Sequence, residues 1–276
     1  MRNSFFDFAK EIFGIEFKKW YESGFWKDDY VCYSLVDNGR IISNVSFSRL
    51  DMMIEGKMFK AVQIGTVGTL SPYRGKGLSK HLMEKVIGDN KDGADFFFLS
   101  ANRSVINFYQ RFGFRRVYEY EFIANIRPGK NNGNSRRLDI DIDDDMKILT
   151  GLCDRMPVSG IFNASDYRFI LLWYATGIFK ECFYYIEKED VIVVCEMNGG
   201  MLDVYDIISH GTCDVHRLFS YLPFESVERI RFHFTPDLIG IKTQSRPIIN
   251  DDDPFFIYGN FPLEGKPFAL PALART

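Results

Sequence analysis

Residues 61–87 constrain this chain more than any other stretch, because the hydrophobic period changes across one short turn. Ala61 to Leu70 (AVQIGTVGTL) is apolar and β-branched, is interrupted by Gly65 and Gly68, and is closed by Pro72. That is the composition of a strand. Leu78, Leu82, Met83, Val86 and Ile87 then recur at helical spacing, with Gly88 available as a stop. Between the two runs stand Arg74, Gly75, Lys76 and Gly77. Glycines let backbone N–H groups approach a ligand that side chains would block. A helix N-terminus adds unsatisfied N–H groups and the positive end of the helix dipole. Strand, glycine-rich turn and helix together predict a cradle for a polyanion, although neither G-x-x-x-x-G-K-[ST] nor G-x-G-x-x-G is present.

A second strand, turn and helix follow. Asp95 to Ser100 (DFFFLS) reads as a short buried strand, and ANRSVINFYQRFGF comes after it. Val105, Phe108, Tyr109 and Phe112 fall at i, i+3, i+4 and i+7; Asn102 or Ser104 can cap this helix and Gly113 can end it. With both units in view, the chain resembles the GNAT acetyltransferases. Arg74-Gly-Lys-Gly-Leu-Ser79 resembles their acyl-CoA loop R/Q-x-x-G-x-G/A, and Asn102, Phe108-Tyr109 and Gly113-Phe114 resemble their later N…FY…GF segment. Ser79 departs from the pattern, where glycine or alanine is usual, and is expected to alter the helix–pyrophosphate contact slightly. The resemblance covers residues 1–125 and includes a hairpin, Tyr30 to Val36 and Ile41 to Phe47, joined by Asp37-Asn38-Gly39-Arg40.

The resemblance implies an α/β (α+β) acyl-CoA N-acyltransferase fold with a mixed, mostly antiparallel sheet. It further implies transfer of an acetyl group from acetyl-CoA, as co-substrate, to a primary amine of a small molecule or peptide. By position, the backbone of Val67, Gly68, Thr69 and Leu70 would meet the pantetheine arm. The N–H groups of Gly75, Lys76, Gly77, Leu78 and Ser79 would meet the pyrophosphate, with Arg74 and Lys76 adding charge and Asn102 belonging to the same cofactor site. Tyr109 would be the general acid for the departing thiolate. A phenol with a pKa of about 10 is protonated at neutral pH and can donate to a thiolate whose acid has a pKa of about 8.5. Against that role, Tyr109 also reads as one more buried aromatic in a chain with 14 Tyr and 27 Phe.

A general base is not evident, because residues 61–70 contain no Asp or Glu. Candidates are Glu119 and Glu121 in VYEYEF, Glu55, and the carboxylate of Thr276. The last follows a resemblance to the enhanced-intracellular-survival type of acetyltransferase, which carries an extra C-terminal domain and places its chain end in the active site. Asp28, Asp29, Asp51 and Glu55 lie in the region where the family meets its acceptor, and equally read as surface charge. A non-catalytic CoA-binding or sensor protein that retains the loop is the alternative function, and another acyl group is a third reading.

At 276 residues the chain is long enough for two cores. Its net charge of −3 argues against nucleic-acid affinity. Five cysteines form no C-x-x-C pair and are odd in number, which fits a reducing cytoplasm. No run of 18 uncharged apolar residues suggests a membrane span, and MRNSFFDFAKEIFG reads as an amphipathic helix rather than a leader. An aromatic content of 16% is compatible with a homo-oligomer interface. No metal is expected: DIDIDDD lacks the glycine and glutamate of an EF-hand loop, and the four histidines show no zinc spacing.

The polar stretch RPGKNNGNSRRLDIDIDDD suggests a boundary, giving an acetyltransferase domain at 1–127, a solvated linker at 128–145 and a C-terminal domain at 146–276. The last part reads as a helix within DYRFILLWYATG, a three-stranded meander from Cys182 to Ser209, a helix in DVHRLFSYL and a strand in RIRFHF. Strands, helix, strand is the order of the first half, so this domain is expected to be a degenerate repeat lacking the cofactor loop. His216 and His233 read as ordinary half-buried histidines of that domain.

Overall fold

A computed structural model describes residues 1–26, 28–126, 133–153, 161–165, 167–211, 214–225, 227–236, 240–249 and 252–276. The first half contributes α1 (Arg2–Phe13), α2 (Lys18–Glu22), β1 (Tyr30–Asp37), β2 (Arg40–Ile54), β3 (Lys57–Thr69), α3 (Leu78–Asn90), β4 (Phe96–Ser100), α4 (Ile106–Gln110), β5 (Arg115–Arg116) and β6 (Tyr120–Asn125). The second contributes β7 (Arg136–Arg137), α5 (Asp143–Cys153), β8 (Phe162–Ala164), α6 (Arg168–Thr176), β9 (Phe183–Ile186), β10 (Val191–Asn198) and β11 (Met201–Ile208). It closes with α7 (Val215–Tyr221), β12 (Arg229–Phe232), β13 (Gln244–Pro247) and β14 (Phe255–Gly259). The chain is a mixed α/β structure with two mixed sheets.

Local chemistry explains most of these elements. Asn38 and Gly39 both take positive φ, 46° and 78°, and close the β1–β2 hairpin as a tight turn needs. α1 buries Phe5, Phe8 and Ala9 and stops where Gly14 turns left-handed at φ 70°. The helix at FYQ is shorter than its periodicity predicts: Asn102 caps a single 3-10 turn, and α4 spans only five residues. The acidic run also departs from expectation. Asp143, Asp144 and Asp145 form the first turn of α5, where carboxylates oppose the helix dipole favourably, and β7 pairs with β9 inside the stretch expected to be linker. Residues 128–132 of that stretch lie outside the described residues.

The two sheets repeat one topology. β1, β2 and β3 form an antiparallel meander, and α3 carries the chain over to β4, which lies parallel to β3. β9, β10 and β11 do the same, and α7 carries the chain to β12, parallel to β11. The likeness extends to an irregularity. Each third strand has one extra residue opposite the second, between Gly65 and Gly68 on β3 and between Val204 and Asp206 on β11. The next strand is exchanged between the sheets: β14, from the end of the chain, pairs antiparallel with β4, whereas β6, from the first half, pairs antiparallel with β12.

This exchange decides where the core sits. Phe96 and Phe98 point into a cluster shared by both sheets with α1 and α6, and Phe97 and Leu99 point the other way, against α3 and α4. A strand buried on both faces explains why DFFFLS shows no polar alternation. A third cluster fills the space between the second sheet and α7.

Candidate active site

The site begins where β3 and β4 part. The two strands pair only over Ala61–Gln63 and Phe96–Phe98, yet β3 runs on to Thr69. The bulge on β3 bends it away at this point, with Thr66 at φ 43°. Buried Asn44 on β2 donates to the Thr66 carbonyl at 3.0 Å, and Tyr30 Oη lies 2.8 Å from Thr66 Oγ1. The strained residue is therefore held from two sides.

A cleft of about 1980 Å³ runs through this gap. Sites for one small molecule are typically about 300–1,000 Å³, so this one has room for two substrates. At one end lies the glycine turn. Gly75 and Gly77 sit at φ 76° and 75° with open space where a Cβ would stand, so backbone conformation rather than crowding requires glycine there. Gly77 is the N-cap of α3 without a side-chain cap, and the first intrahelical bond closes from the His81 N–H to the Gly77 carbonyl at 3.0 Å. The N–H groups ahead of that bond are left for a ligand.

Val67, Gly68, Thr69, Arg74, Gly75, Gly77, Leu78, Ser79, Asn102 and Tyr109 all line the cleft. Two of the expected cofactor residues do not. Leu70 is buried, its N–H donates to the Ile42 carbonyl at 2.9 Å and its carbonyl accepts from Tyr73, so its backbone is already occupied. Lys76 turns over the Tyr73 ring at 5.1 Å. Ser79 has a structural use: its hydroxyl lies 2.6 Å from Thr69 Oγ1, which meets Ser43 Oγ at 2.8 Å, so the first turn of α3 is tied to β3. Gly68 is needed for packing, since an added Cβ would stand 3.0 Å from Phe13 and 3.1 Å from Ile12 of α1. Ile12, Phe13 and Ile15 line the cleft as well, and no motif marked them.

Tyr109 is 6% exposed, ringed by Phe108, Phe114 and Phe256. Burial pushes its phenol up to about 12, so it stays protonated across the physiological range.

The far end of the chain closes the gap. Buried Gln63, in the orientation that satisfies both ends of its amide, donates to the Ala274 carbonyl at 3.0 Å and accepts from the Thr276 N–H at 2.8 Å. A Cβ on Gly65 would meet Thr276 at 3.2 Å. Arg275 reaches Ser100 Oγ of β4 at 3.0 Å and the buried Glu119 at 2.5 Å. Residues 274–276 are thus laced to both edges of the split, and Thr276 lines the cleft.

The other acids expected near the chemistry are placed differently. Glu55 pairs with Lys266 at 2.6 Å, and Asp28, Asp29, Asp51 and Glu55 are all absent from the cleft lining. Glu119 and Glu121 do line it, but each is held by arginine: Glu119 by Arg275, Glu121 by Arg246 at 2.6 Å and Arg231 at 3.5 Å. The second sheet supplies this wall. Arg231 and His233 of the RIRFHF strand face the cleft, not a core, and both bond Asp203 of β11. His216 is exposed on α7, away from the lining. The alternation of RIRFHF was the sequence signal for this face, since Ile230 and Phe232 fill the opposite core.

The family model of the acetyltransferase (GNAT) domain matches residues 3–117. No curated protein matches the sequence. Among solved structures, a conserved protein of unknown function and probable N-acyltransferase from Enterococcus faecalis V583 is 14% identical with a TM-score of 0.59, over 92% of this chain and 69% of that one. Eis1 from Mycobacterium abscessus is 15% identical with a TM-score of 0.55, over 93% and 69% of the two chains. A GCN5-related N-acetyltransferase from Kribbella flavida is 16% identical with a TM-score of 0.54, over 93% and 68%. At these identities the likeness is one of fold.

Proposed function

Because residues 3–117 carry an acetyltransferase domain of the GNAT family, we propose that this acyltransferase moves an acetyl group from acetyl-CoA to a primary amine. One observation carries the reading: the β3–β4 split, the open glycine turn at the N-terminus of α3 and the protonated Tyr109 share one cleft. Pantetheine lies in the split along Val67 to Thr69. The pyrophosphate rests on the N–H groups of Gly75 to Ser79, where two glycines and the helix dipole favour it. Arg74 adds charge there, its Nε being anchored on the Thr69 carbonyl at 3.0 Å.

The neutral amine attacks the thioester carbonyl, the C–N bond forms, the nitrogen gives up a proton to water in the open cleft, the C–S bond breaks and the sulfur leaves as a thiolate that takes up a proton from solvent. Tyr109 donates to that sulfur. With its phenol near 12 and a thiol near 8.5, complete proton transfer is uphill by roughly 5 kcal/mol. The hydroxyl therefore acts chiefly as a hydrogen-bond donor to the developing charge, a contribution realised as the bond breaks. Glu119 and Glu121 are committed to guanidinium groups and take no part as bases.

We further propose that residues 1–127 and 146–276 are two acetyltransferase-like repeats, the second without a cofactor loop. The shared strand order and the matching bulges support this.

The mechanism is tested by release of free CoA thiol with an amine acceptor, measured for the parent and Tyr109→Phe. The expected result is a fall in kcat of roughly 10²-fold or more with acetyl-CoA binding unchanged. Full activity in the variant would remove Tyr109 from the chemistry.

A further inference from the structure

The wall of the cleft opposite the split is one face of the second sheet, and its charges are arranged in depth. Register places Glu121 of β6 directly across from Arg246 of β13, and Arg231 of β12 across from Asp203 of β11. The acids lie underneath: the side chains of Asp203, Glu119 and Glu121 are 2%, 4% and 15% exposed. The guanidinium groups lie above them, with Arg275, Arg231 and Arg246 at 27%, 31% and 74%.

Hydrogen-bond capacity is uneven in the same sense. Asp203 accepts from Arg231 at 2.5 and 2.9 Å and meets His233 Nε2 at 2.9 Å. Burial pushes its carboxyl upward, but the bonds from His233 and Arg231 outweigh this and hold it well below the usual carboxylate range. Arg246, in contrast, bonds Glu121 through Nε, and a guanidinium has five N–H donors. Donors are in surplus on this sheet face, and its acids are taken up by them. Asp253 is the one exposed acid among the described lining side chains, and the carboxylate of Thr276 stands at the split rather than on this wall. A polyamine or aminoglycoside needs several free carboxylates, and this surface offers the reverse.

We propose that the acceptor is an amine that also carries an anionic group, a carboxylate or a phosphate, which Arg246 and Arg231 receive while the amine is directed toward the split. This rests on the acetyltransferase reading and names its substrate class. A planar guanidinium suits both anions, because its paired N–H groups match two oxygens at once.

The test compares γ-aminobutyrate with n-butylamine, glycylglycine with its amide, phosphoethanolamine with ethanolamine, and spermidine, all as acceptors at saturating acetyl-CoA. We expect the anionic member of at least one pair to exceed its neutral partner in kcat/KM by tenfold or more, and spermidine to be poor. The amino acid arms against the phosphate arm identify which anion is used. In Arg246→Gln that preference should shrink through KM, with kcat and acetyl-CoA binding retained. Equal use of the paired amines, superior use of spermidine, or a protein that binds acetyl-CoA yet acetylates none of these amines would each overturn the proposal while leaving the cofactor site standing. Absence of acetyl-CoA binding would instead remove the acetyltransferase reading and this inference with it.

Discussion

Asp206 shows how much a single buried side chain governs here. It lies on β11 beside the bulge, 7% exposed, and accepts from the Tyr167 hydroxyl and from the Ile207 N–H at 2.8 Å. Burial pushes its carboxyl up to about 6, against an ordinary value of 3.8, and the two hydrogen bonds only partly oppose that. A folded-state value above the unfolded one means that the folded protein prefers the protonated acid. That preference is fully present below about pH 4 and is lost as pH rises through 6, a swing of roughly 3 kcal/mol. Thermal unfolding of the parent and Asp206→Asn across this window tests it. The parent should lose stability relative to the variant from about pH 4 to about pH 7; a constant difference would show that Asp206 titrates normally. This group is not legible from DVYD, because nothing there marks which aspartate is buried. Gly75 and Gly77 were the opposite case: their need for positive φ and for close backbone approach is local, and it was legible from the residues alone.

Elements were legible where one segment contains the whole cause. The Asn38-Gly39 turn, the strand before the glycine turn and the apolar stripe of α3 each follow from their own residues. The acidic run at 143–145 reads as linker because carboxylates mark a solvated linker and a helix first turn alike; only Asp145, 6% exposed and paired to Arg136 at 2.7 Å, separates the two. Strand partners were not legible at all. Nothing in YEFIAN says that β6 joins β12, and nothing in FFIYG says that β14 joins β4. The exchange has a consequence for stability, since a fragment of residues 1–127 would lack β14. It would bare the edge of β4 and the side chains of Phe96 and Phe98, which pack against Phe255 and Phe261. An unpaired apolar edge aggregates. We expect this fragment to be aggregated or without a cooperative transition, by light scattering and thermal unfolding, although its family match spans almost the same residues. A monomeric, cooperatively unfolding fragment would show that β14 is dispensable.

At the scale of the whole molecule, the two halves of the chain divide the work. The first supplies the split, the glycine turn and Tyr109; the second supplies the arginine-rich wall, and residues 274–276 lace the two together at Gln63, Gly65 and Ser100. No helix among the described residues is long and apolar enough to cross a membrane. We propose that the turn at 74–79 holds the pyrophosphate of acetyl-CoA, and calorimetry of acetyl-CoA binding to the parent and to Gly77→Asp is the measurement to make. The aspartate places a carboxylate where the phosphate would rest and a side chain where φ is 75°. Gly77→Ala supplies the backbone control. The expected result is parent binding that is weakened somewhat by alanine and abolished by aspartate, with both variants folded. Undiminished binding in the aspartate variant, or none in the parent, would contradict it.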